Sequence, residues 1–389
     1  MVGDRERAMR SYRYRLFPNR TQETVLISTL ETCRRLYNNA LVERRDAWKD
    51  ELRCVIYREQ QDALPGNKDE YQQQVHSQVL QDVLRRLRKA FDAFFRRVRN
   101  GETPGYPRFK GKGRYDSLTY PQSGFSLSPD ERRLTLSKIG SIRIELHRPL
   151  EGRVKTCTIK RDVDQWYVVF SCEVEVEARS HGGTAVGVDV GLEKFATLSD
   201  GTVIENPRFL RESERKIKKR QRRVSRRNKG SNRRKKAKKE LARAHRKVRN
   251  QRTDFAHKLS RQLADNYSTI TFEKLNILNM VQNHHLAKSI VDASWNTLIQ
   301  YTTYKAEEAG GKVVLVDPKN TSQMCSRCGM LVKKDLSVRV HSCWNCGLAI
   351  DRDLNAALNI LNRSGWGPPD APVELETASN REAPLVVEG

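Results

Sequence analysis

The chain has 389 residues, and its 73 lysines and arginines outnumber its 47 aspartates and glutamates, which gives a formal net charge of +26 at pH 7. This length suggests two or three domains, and the excess of positive charge favours a polyanionic partner, nucleic acid first of all. The sequence shows neither a membrane span of roughly 18 apolar residues nor the apolar stretch of a signal peptide. It therefore disfavours membrane and secreted proteins and predicts a cytoplasmic, nucleoid-associated prokaryotic protein.

The first hundred residues combine one strand pattern with two helix patterns. Residues 10–18 alternate as in a strand, and the stretches 21–48 and Gln72–Asn100 repeat apolar residues at helical spacing. We interpret the apolar stripe of the second stretch, from Val75 to Val98, as core, which is the usual role of such stripes.

From residue 104 onward, glycine, proline and basic residues interrupt the helices, and short alternating runs separated by turns follow. This pattern predicts an antiparallel meander closed into a small barrel, with the first strand as one of its members. Residues 1–20 and 104–180 are therefore expected to form a β-barrel, into which the helices of residues 21–103 are inserted.

A third pattern begins at Thr184. Three short strands are followed by basic helices, and then by a strand, a helix and a strand, which is the element order of an RNase H-like sheet. We expect this domain over residues 184–320 and 347–364, and a disordered tail at the proline-rich residues 365–389. The predicted fold class is α+β, with several domains.

Most of the positive charge lies in one tenth of the chain. Residues 211–250 hold 21 lysines and arginines against three glutamates, a local charge of +18. Sparse apolar residues recur there near helical multiples, so we predict two basic helices within 206–265, joined near Asn228–Asn232. A solvated charge run or a disordered tail is the alternative to a phosphate-binding surface. The candidate contacts are Arg222, Arg223, Arg226, Arg227, Lys235 and Lys236.

Four of the eight cysteines have the spacing of a metal site. Cys325-x2-Cys328 and Cys343-x2-Cys346 are separated by 14 residues, and each pair is followed by glycine. Four thiolates suit one tetrahedral Zn²⁺ and leave no position open, so the predicted site, within residues 321–346, is structural. The alternative is two reduced pairs without metal. The remaining cysteines are interpreted as reduced, buried thiols: Cys33, Cys54, Cys157 and Cys172.

Three carboxylates occupy positions that favour catalysis. Asp189 lies in an apolar strand and Glu273 ends another, and these strands are neighbours in an RNase H-like sheet. Asp353 begins a helix, with Asp351 as the alternative third member. Clustered carboxylates repel one another unless cations neutralise them, and two Mg²⁺ ions would do so while activating water against a phosphodiester. A structural role for each residue alone is the competing interpretation.

These residues resemble those of the TnpB family, transposon-encoded RNA-guided DNA endonucleases related to the compact type V CRISPR effectors. The resemblance extends from about residue 10 to 362. The matching stretches are YRYRLFPNRTQ, CRRLYNNAL, KAFDAFFRR, GYPRFKGK, GVDVGLEKFATLSDG, ITFEKLNI, TSQMCSRCG, CWNCG and DRDLNAALNI.

The resemblance implies a wedge barrel interrupted by a helical recognition layer, followed by a RuvC nuclease domain with a zinc-ribbon insertion. It assigns the catalytic, magnesium-binding roles to Asp189, Glu273 and Asp353. It also implies a guide RNA from the transposon end, and a double-stranded target DNA with a short adjacent motif. For reading that motif we single out Gln81 and Thr119, whose amide and methyl groups suit adenine and thymine, with ordinary solvent-facing residues as the alternative.

Three other functions compete with a guided nuclease that cleaves double-stranded DNA. A nuclease-inactive RNA-guided regulator would lack one of the three carboxylates, and all three are present. A DNA transposase on an RNase H fold would need end-specific DNA binding, and we identify no helix-turn-helix in the sequence. A structural RNA-binding protein would explain the basic helices and the cysteines, but not carboxylates in apolar strands.

Overall fold

The fold was analysed in a computed structural model, which describes residues 5–177, 183–335 and 337–366. The chain divides into two compact units, an N-terminal unit, Met1–Ala178, and a C-terminal unit, Arg179–Gly389. The predicted tail lies almost wholly outside the described residues, and the finer domain boundaries remain predictions. Among the described helices, none combines the length and the apolar character needed to cross a membrane.

The described part of the N-terminal unit, residues 5–177, consists of one seven-stranded sheet and four helices. The strands are β1 (Arg5–Phe17), β2 (Ser117–Tyr120), β3 (Phe125–Leu127), β4 (Arg133–Leu136), β5 (Gly140–Glu145), β6 (Arg153–Asp162) and β7 (Gln165–Glu177). The helices are α1 (Arg20–Glu51), α2 (Tyr57–Ala63), α3 (Glu70–Gln73) and α4 (Ser77–Arg99).

The order of this sheet is β2-β6-β7-β1-β5-β4-β3. The first strand belongs to it, as predicted, but β1 lies between β7 and β5 and pairs antiparallel with both, so the strands do not form a simple meander. The edge strands β2 and β3 are joined through residues 121–124 only. This short connection holds the two edges close together, and the sheet is therefore barrel-like and nearly closed.

The helices pack their apolar faces into the core of this unit. Asn19 caps α1 through a capping box with Gln22, and the first half of α4 is buried through Leu87. The second half is not, because Phe95 and Val98 are 51% and 49% exposed. The prediction of a continuous core stripe along α4 is therefore wrong at its C-terminal end.

Three of the four remaining cysteines are buried as predicted, and one is not. Cys33, Cys157 and Cys172 are buried free thiols, whereas Cys54 is exposed. Cys54 lies in the loop that follows α1, where a side chain is open to solvent. The expectation of a buried thiol at this position is therefore wrong.

Within residues 183–335 and 337–366, the C-terminal unit contains the second sheet, a two-stranded ladder and six helices. The strands are β8 (Thr184–Val190), β9 (Lys194–Leu198), β10 (Val203–Glu205), β11 (Tyr267–Glu273), β12 (Lys312–Val316), β13 (Val340–Ser342) and β14 (Ala349–Asp351). The helices are α5 (Phe209–Ser225), α6 (Asn232–Asn266), α7 (Ile277–Met280), α8 (His284–Ala293), α9 (Trp295–Glu308) and α10 (Arg352–Asn362).

The second sheet has the order β10-β9-β8-β11-β12. Its first three strands are antiparallel, and β11 pairs parallel with both β8 and β12. This is the arrangement expected from the element order. The basic helices α5 and α6 also form as predicted and keep a narrow apolar face, on which Val224, Val248 and Leu259 are buried.

Candidate functional site

The strand register brings two of the predicted carboxylates to one edge of the second sheet. Val188 of β8 lies opposite Phe272 of β11 in a parallel pair. The next residue on each strand is therefore at the same level, and these residues are Asp189 and Glu273. Parallel neighbours of this kind place both side chains at the carboxyl end of the strands, where α/β proteins commonly bind ligands.

The third carboxylate arrives on a helix that packs directly on β8. A Cβ atom added to Gly187 would lie 2.1 Å from the carbonyl oxygen of Ala357 and 2.7 Å from the amide nitrogen of Leu361. Only glycine allows α10 to approach so closely. This contact lies two residues before Asp189, and Asp353 lies in the first turn of the same helix.

The three carboxylates line one cavity of about 820 Å³. Burial raises the pKa of Asp189 well above its usual value, and the negative charges of Glu273 and Asp353 raise it further. Burial also raises the pKa of Glu273, although a hydrogen bond from Thr321 opposes this. The site therefore favours cations or protons, as a group of mutually repelling carboxylates must.

Asp351 is engaged in a different way. Its side chain caps α10 by accepting hydrogen bonds from the amides of Asp353 and Leu354, and it accepts another from Lys194 at 3.0 Å. Burial opposes ionisation of Asp351, but the bonds from Lys194 and the two amides prevail and lower its pKa. A capped helix and an ion pair account for this carboxylate, and it does not line the cavity.

The cavity wall also carries positive charge. Arg352 contacts Asp353 at 3.1 Å. Its positive charge also acts to lower the pKa of Asp189, against the effect of the neighbouring carboxylates. The other basic residues that line the cavity are Lys194, Arg208, Arg211 and Arg339. Guanidinium groups beside carboxylates suit a substrate that carries phosphates, because they bind phosphate oxygens while the carboxylates hold cations.

The four predicted metal-ligating cysteines converge. The sulfur atoms of Cys325, Cys328, Cys343 and Cys346 all lie within 4.8 Å of one another. Gly329 and Gly347, which follow the two pairs, both have a φ of 72°. This is the left-handed conformation that glycine adopts at little cost. This is the donor set and the compactness that a tetrahedral zinc site requires.

The six predicted phosphate-binding residues lie on α5, on α6 and in the turn between them. All are exposed except Arg227, which is partly buried. Arg223 pairs with Glu240 at 2.7 Å, which links α5 to α6. The surface formed by these residues is therefore positive and accessible.

The two candidates for motif reading lie in the N-terminal unit. Gln81 is partly buried on α4. The hydroxyl of Thr119 on β2 accepts a hydrogen bond from Arg86 at 2.7 Å and lies 2.9 Å from the hydroxyl of Thr158. The hydroxyl of Thr119 is therefore already engaged. The expectation that its methyl group contacts thymine stays a prediction.

Several residues of the site were not singled out from the sequence. Thr321 donates a hydrogen bond to Glu273 at 2.5 Å, and Asn355 and Asn359 are buried on α10. The only sequence signal for the asparagines is their spacing of four on the apolar face of a helix, since buried amides need partners. Thr321 has no such signal.

Comparison with known families gives three matches. A model described as "Probable transposase" (OrfB_IS605) matches residues 169–284, and one described as "Cas12f1-like, TNB domain" matches residues 295–360. A "Helix-turn-helix domain" model matches residues 9–53. We identified no such motif in the sequence, and the structure shows one strand and one continuous helix, β1 and α1, in this range.

Individual relatives cover nearly the whole chain. "Putative RNA-guided DNA endonuclease InsQ" of Escherichia coli is 31% identical over 91% of this chain and 92% of its own length. A "Putative RNA-guided DNA endonuclease" of Streptomyces pristinaespiralis is 36% identical over 92% and 89%. A solved Cas12f1-sgRNA-target DNA complex shares the fold, with a TM-score of 0.57 and 15% identity over 88% of this chain and 83% of that chain. The chain belongs to the TnpB family.

Proposed function

We propose that this chain is an RNA-guided, metal-dependent endonuclease that cleaves double-stranded DNA, with Asp189, Glu273 and Asp353 as its catalytic residues. Its near full-length relatives carry the name of RNA-guided DNA endonucleases. The observation that carries the assignment of the residues is the convergence of three carboxylates, from two strands and a helix, on one cavity lined by arginines.

The carboxylates fit hard divalent cations. They offer oxygen ligands only, and the raised pKa of Asp189 and Glu273 reflects burial together with, at Asp189, the neighbouring negative charges that bound cations would offset. Two Mg²⁺ ions held by these residues would activate water and stabilise the leaving oxygen, as in RuvC-type nucleases. The sheet and α10 fix the ligands before substrate arrives, and Arg352 orients Asp353.

The cysteine cluster has a separate, structural part in this proposal. Four thiolates around one Zn²⁺ leave no position for water or substrate. Burial raises the pKa of Cys325 to about 12, whereas hydrogen bonding from Asn345 lowers that of Cys328 to about 6. Zinc binding would therefore displace protons and fold the ribbon between β12 and α10.

The basic surface of α5 and α6 is proposed to hold the guide RNA, derived from the transposon end, or its heteroduplex with the target. Its Arg222, Arg226 and Lys235 are exposed, as binding of phosphates requires. For each phosphate that these six residues no longer neutralise in a variant, the slope of log K against log salt should fall by about 0.7–0.9.

In the same proposal, Gln81 and Thr119 read the adjacent target motif. An unchanged motif preference in their alanine variants would show that other residues read it.

A DNA transposase is the second candidate, because one matching family model is described as "Probable transposase". The same carboxylates would then promote attack of a donor 3′ hydroxyl on a target phosphodiester, which joins donor to target and releases a 3′ hydroxyl on the target strand. In hydrolysis the attacking group is water. The products separate the two functions: hydrolysis leaves free ends, whereas strand transfer leaves donor and target DNA covalently joined.

The test uses the protein with the RNA that co-purifies with it, sequenced to define the guide, and a plasmid carrying the matching target. Asp189→Asn, Glu273→Gln and Asp353→Asn should each reduce Mg²⁺-dependent cleavage below about 1% while leaving RNA binding intact. Glu193→Gln is the matched control, because Glu193 lines the same cavity but its side chain is 61% exposed, whereas that of Asp353 is 18% exposed. Asp351→Asn decides the third ligand: loss of cleavage there, with activity kept in Asp353→Asn, would contradict the assignment.

A further inference from the structure

The segment from Asp317 to Ser326 connects the second sheet to the cysteine cluster, and its polar contacts lead to the catalytic carboxylates. It follows β12 and ends beside Cys325. Thr321, which is 4% exposed, donates its hydroxyl proton to Oε1 of Glu273 at 2.5 Å. A hydroxyl has one proton, and the carbonyl of Pro318 lies farther away, at 3.2 Å. The carboxylate is therefore the partner, and a charge-assisted bond fixes its orientation.

The same segment is bound to α10 by two buried asparagines. Asn355 donates to the carbonyl of Met324 at 2.7 Å and accepts from the amide of Ser326 at 2.9 Å, on either side of Cys325. Asn359 donates to the carbonyls of Thr321 and Met324 at 2.8 and 2.7 Å. α10 carries Asp353 in its first turn. These bonds hold the backbone of Thr321 at a set distance from the helix that supplies the third carboxylate.

We propose that Thr321 is a positioning residue for Glu273, and that Asn355 and Asn359 extend its effect by fastening the Thr321 segment to α10. The two carboxylates from β11 and α10 are then held in one geometry by a polar clasp, defined here as Thr321, Asn355 and Asn359. This inference rests on the proposed function, because it concerns how the carboxylates present themselves to divalent cations. Residues that orient a metal ligand commonly change metal affinity by about 10–100-fold when they are altered.

A structural role alone would have different consequences. A buried threonine hydroxyl can serve only to satisfy a nearby acceptor, and its removal would then lower stability without a specific effect on cation binding. Thr302 provides the comparison, since it is buried in the same unit and donates within α9 to the carbonyl of Leu298 at 2.9 Å. Valine replaces threonine at both positions with nearly the same shape.

The experiment measures Mn²⁺ binding to the zinc-replete, full-length protein with its guide RNA, by electron paramagnetic resonance of the free ion, together with thermal unfolding. Thr321→Val should weaken Mn²⁺ binding by about 10–100-fold. Thr321→Ser, which keeps the hydroxyl, should restore binding to within about 3-fold of wild type. Thr302→Val should leave Mn²⁺ affinity unchanged whatever its effect on unfolding. Unchanged affinity in Thr321→Val, or an equal loss in Thr302→Val, would overturn the proposal.

A double-mutant cycle tests the asparagine part of the clasp. If Asn359→Ala and Thr321→Val disturb the same geometry, their effects on Mn²⁺ affinity should be less than additive. Full additivity would overturn the connection between the two residues. Asp189→Asn separates this inference from the proposed function: if it leaves Mn²⁺ binding and cleavage unaffected, the carboxylate site itself is wrong, whereas loss of both with a silent Thr321→Val refutes the clasp only.

Discussion

The two sheets of this protein bury titratable groups of different kinds. The seven-stranded sheet of the N-terminal unit encloses aromatic and aliphatic side chains such as Tyr14, Leu134 and Phe170. A buried titratable group of that core is Cys33, and burial raises its pKa to about 12, so it is neutral at pH 7. The five-stranded sheet of the C-terminal unit instead carries Asp189 and Glu273 at the carboxyl ends of β8 and β11, where they line one cavity with Asp353.

In the proposed function, this difference explains why the second sheet and not the first would carry the chemistry. A neutral thiol needs no counter-charge, so the core of the first sheet does not need a bound cation at this group. Carboxylates near one another need cations, and a site that needs cations can use them on a phosphodiester. Changes in the first core should therefore lower stability without altering the chemistry of folded molecules, whereas changes around the second sheet should alter both.

The largest expected effect follows removal of zinc from the C-terminal unit. Structural zinc contributes about 10 kcal/mol or more in small zinc modules. Cys343→Ser should lower the zinc content from about one ion per chain and reduce cleavage, because the ribbon is fastened to α10 through Asn355. Elemental analysis and cleavage assays measure this, and a metal-free, fully active protein would contradict it.

Since zinc would compete with protons at Cys325, zinc affinity should fall as the pH is lowered.

Gly187→Ala should have the next largest effect. The added methyl group would meet the backbone of α10 at 2.1 Å, so the helix must move away from β8 and take Asp353 with it. Overpacking of this kind costs about 1–3 kcal/mol, and a displacement of about 1 Å at a catalytic group reduces rates by about 100-fold. Cleavage rates and chemical denaturation measure both effects.

Gly66→Ala is the control for Gly187→Ala. Gly66 lies in the N-terminal unit, and a Cβ atom there would have its nearest contact at 4.0 Å, on the carbonyl of Ala63. Its replacement should therefore change neither stability nor cleavage appreciably. Equal effects of the two substitutions would show that the close approach of α10 to β8 is not what positions Asp353.

Leu84→Ala tests the other side of the comparison. Leu84 is 1% exposed in the core of the N-terminal unit, and its truncation should cost about 2–5 kcal/mol. Cleavage per folded molecule, assayed well below the unfolding temperature, should stay at the wild-type value. Leu52→Ala, at a position 74% exposed, should change stability by less than about 0.5 kcal/mol. A large loss of activity in folded Leu84→Ala would show that the two units are not separable in this way.

The sequence predicted the parts of this architecture that depend on local pattern or spacing. The pairing of β8 with β11, and so the meeting of Asp189 and Glu273, follows from the order of elements. The cysteine cluster follows from the spacing of two pairs, because such knuckles fold locally. The close approach of α10 to Gly187, in contrast, is visible only in the structure.

The features that the sequence did not predict depend on contacts between residues that are far apart in the chain. The insertion of β1 between β7 and β5 is decided by strands about 130 residues or more away, and no residue type marks that choice. Phe95 belongs to an apolar stripe but extends past the core that α4 covers, because the stripe does not indicate where the partner surface ends. Thr321 bonds to a carboxylate far away in sequence, which its neighbours do not indicate.

The smallest expected effect concerns a buried amine in the C-terminal unit, which sharpens the comparison because it is a charged group with no catalytic use. Lys305 on α9 is 7% exposed and donates to the carbonyl of His257 at 2.6 Å and to the hydroxyl of Ser260 at 2.8 Å. Burial, followed by the positive charge of Arg261, lowers its pKa to about 8. In the unfolded chain the pKa of lysine is about 10.4. Between these two values the unfolded state binds more protons than the folded state, so the free energy of unfolding should rise with pH through this window and be independent of this group below about pH 8.

Relative to Lys305→Met, the wild type should gain about 1–3 kcal/mol between pH 7.5 and 10, measured by urea denaturation. Lys229→Met, at an exposed position, should follow the wild type across the same range. A constant difference between wild type and Lys305→Met would show that the folded protein does not lower the pKa of this amine.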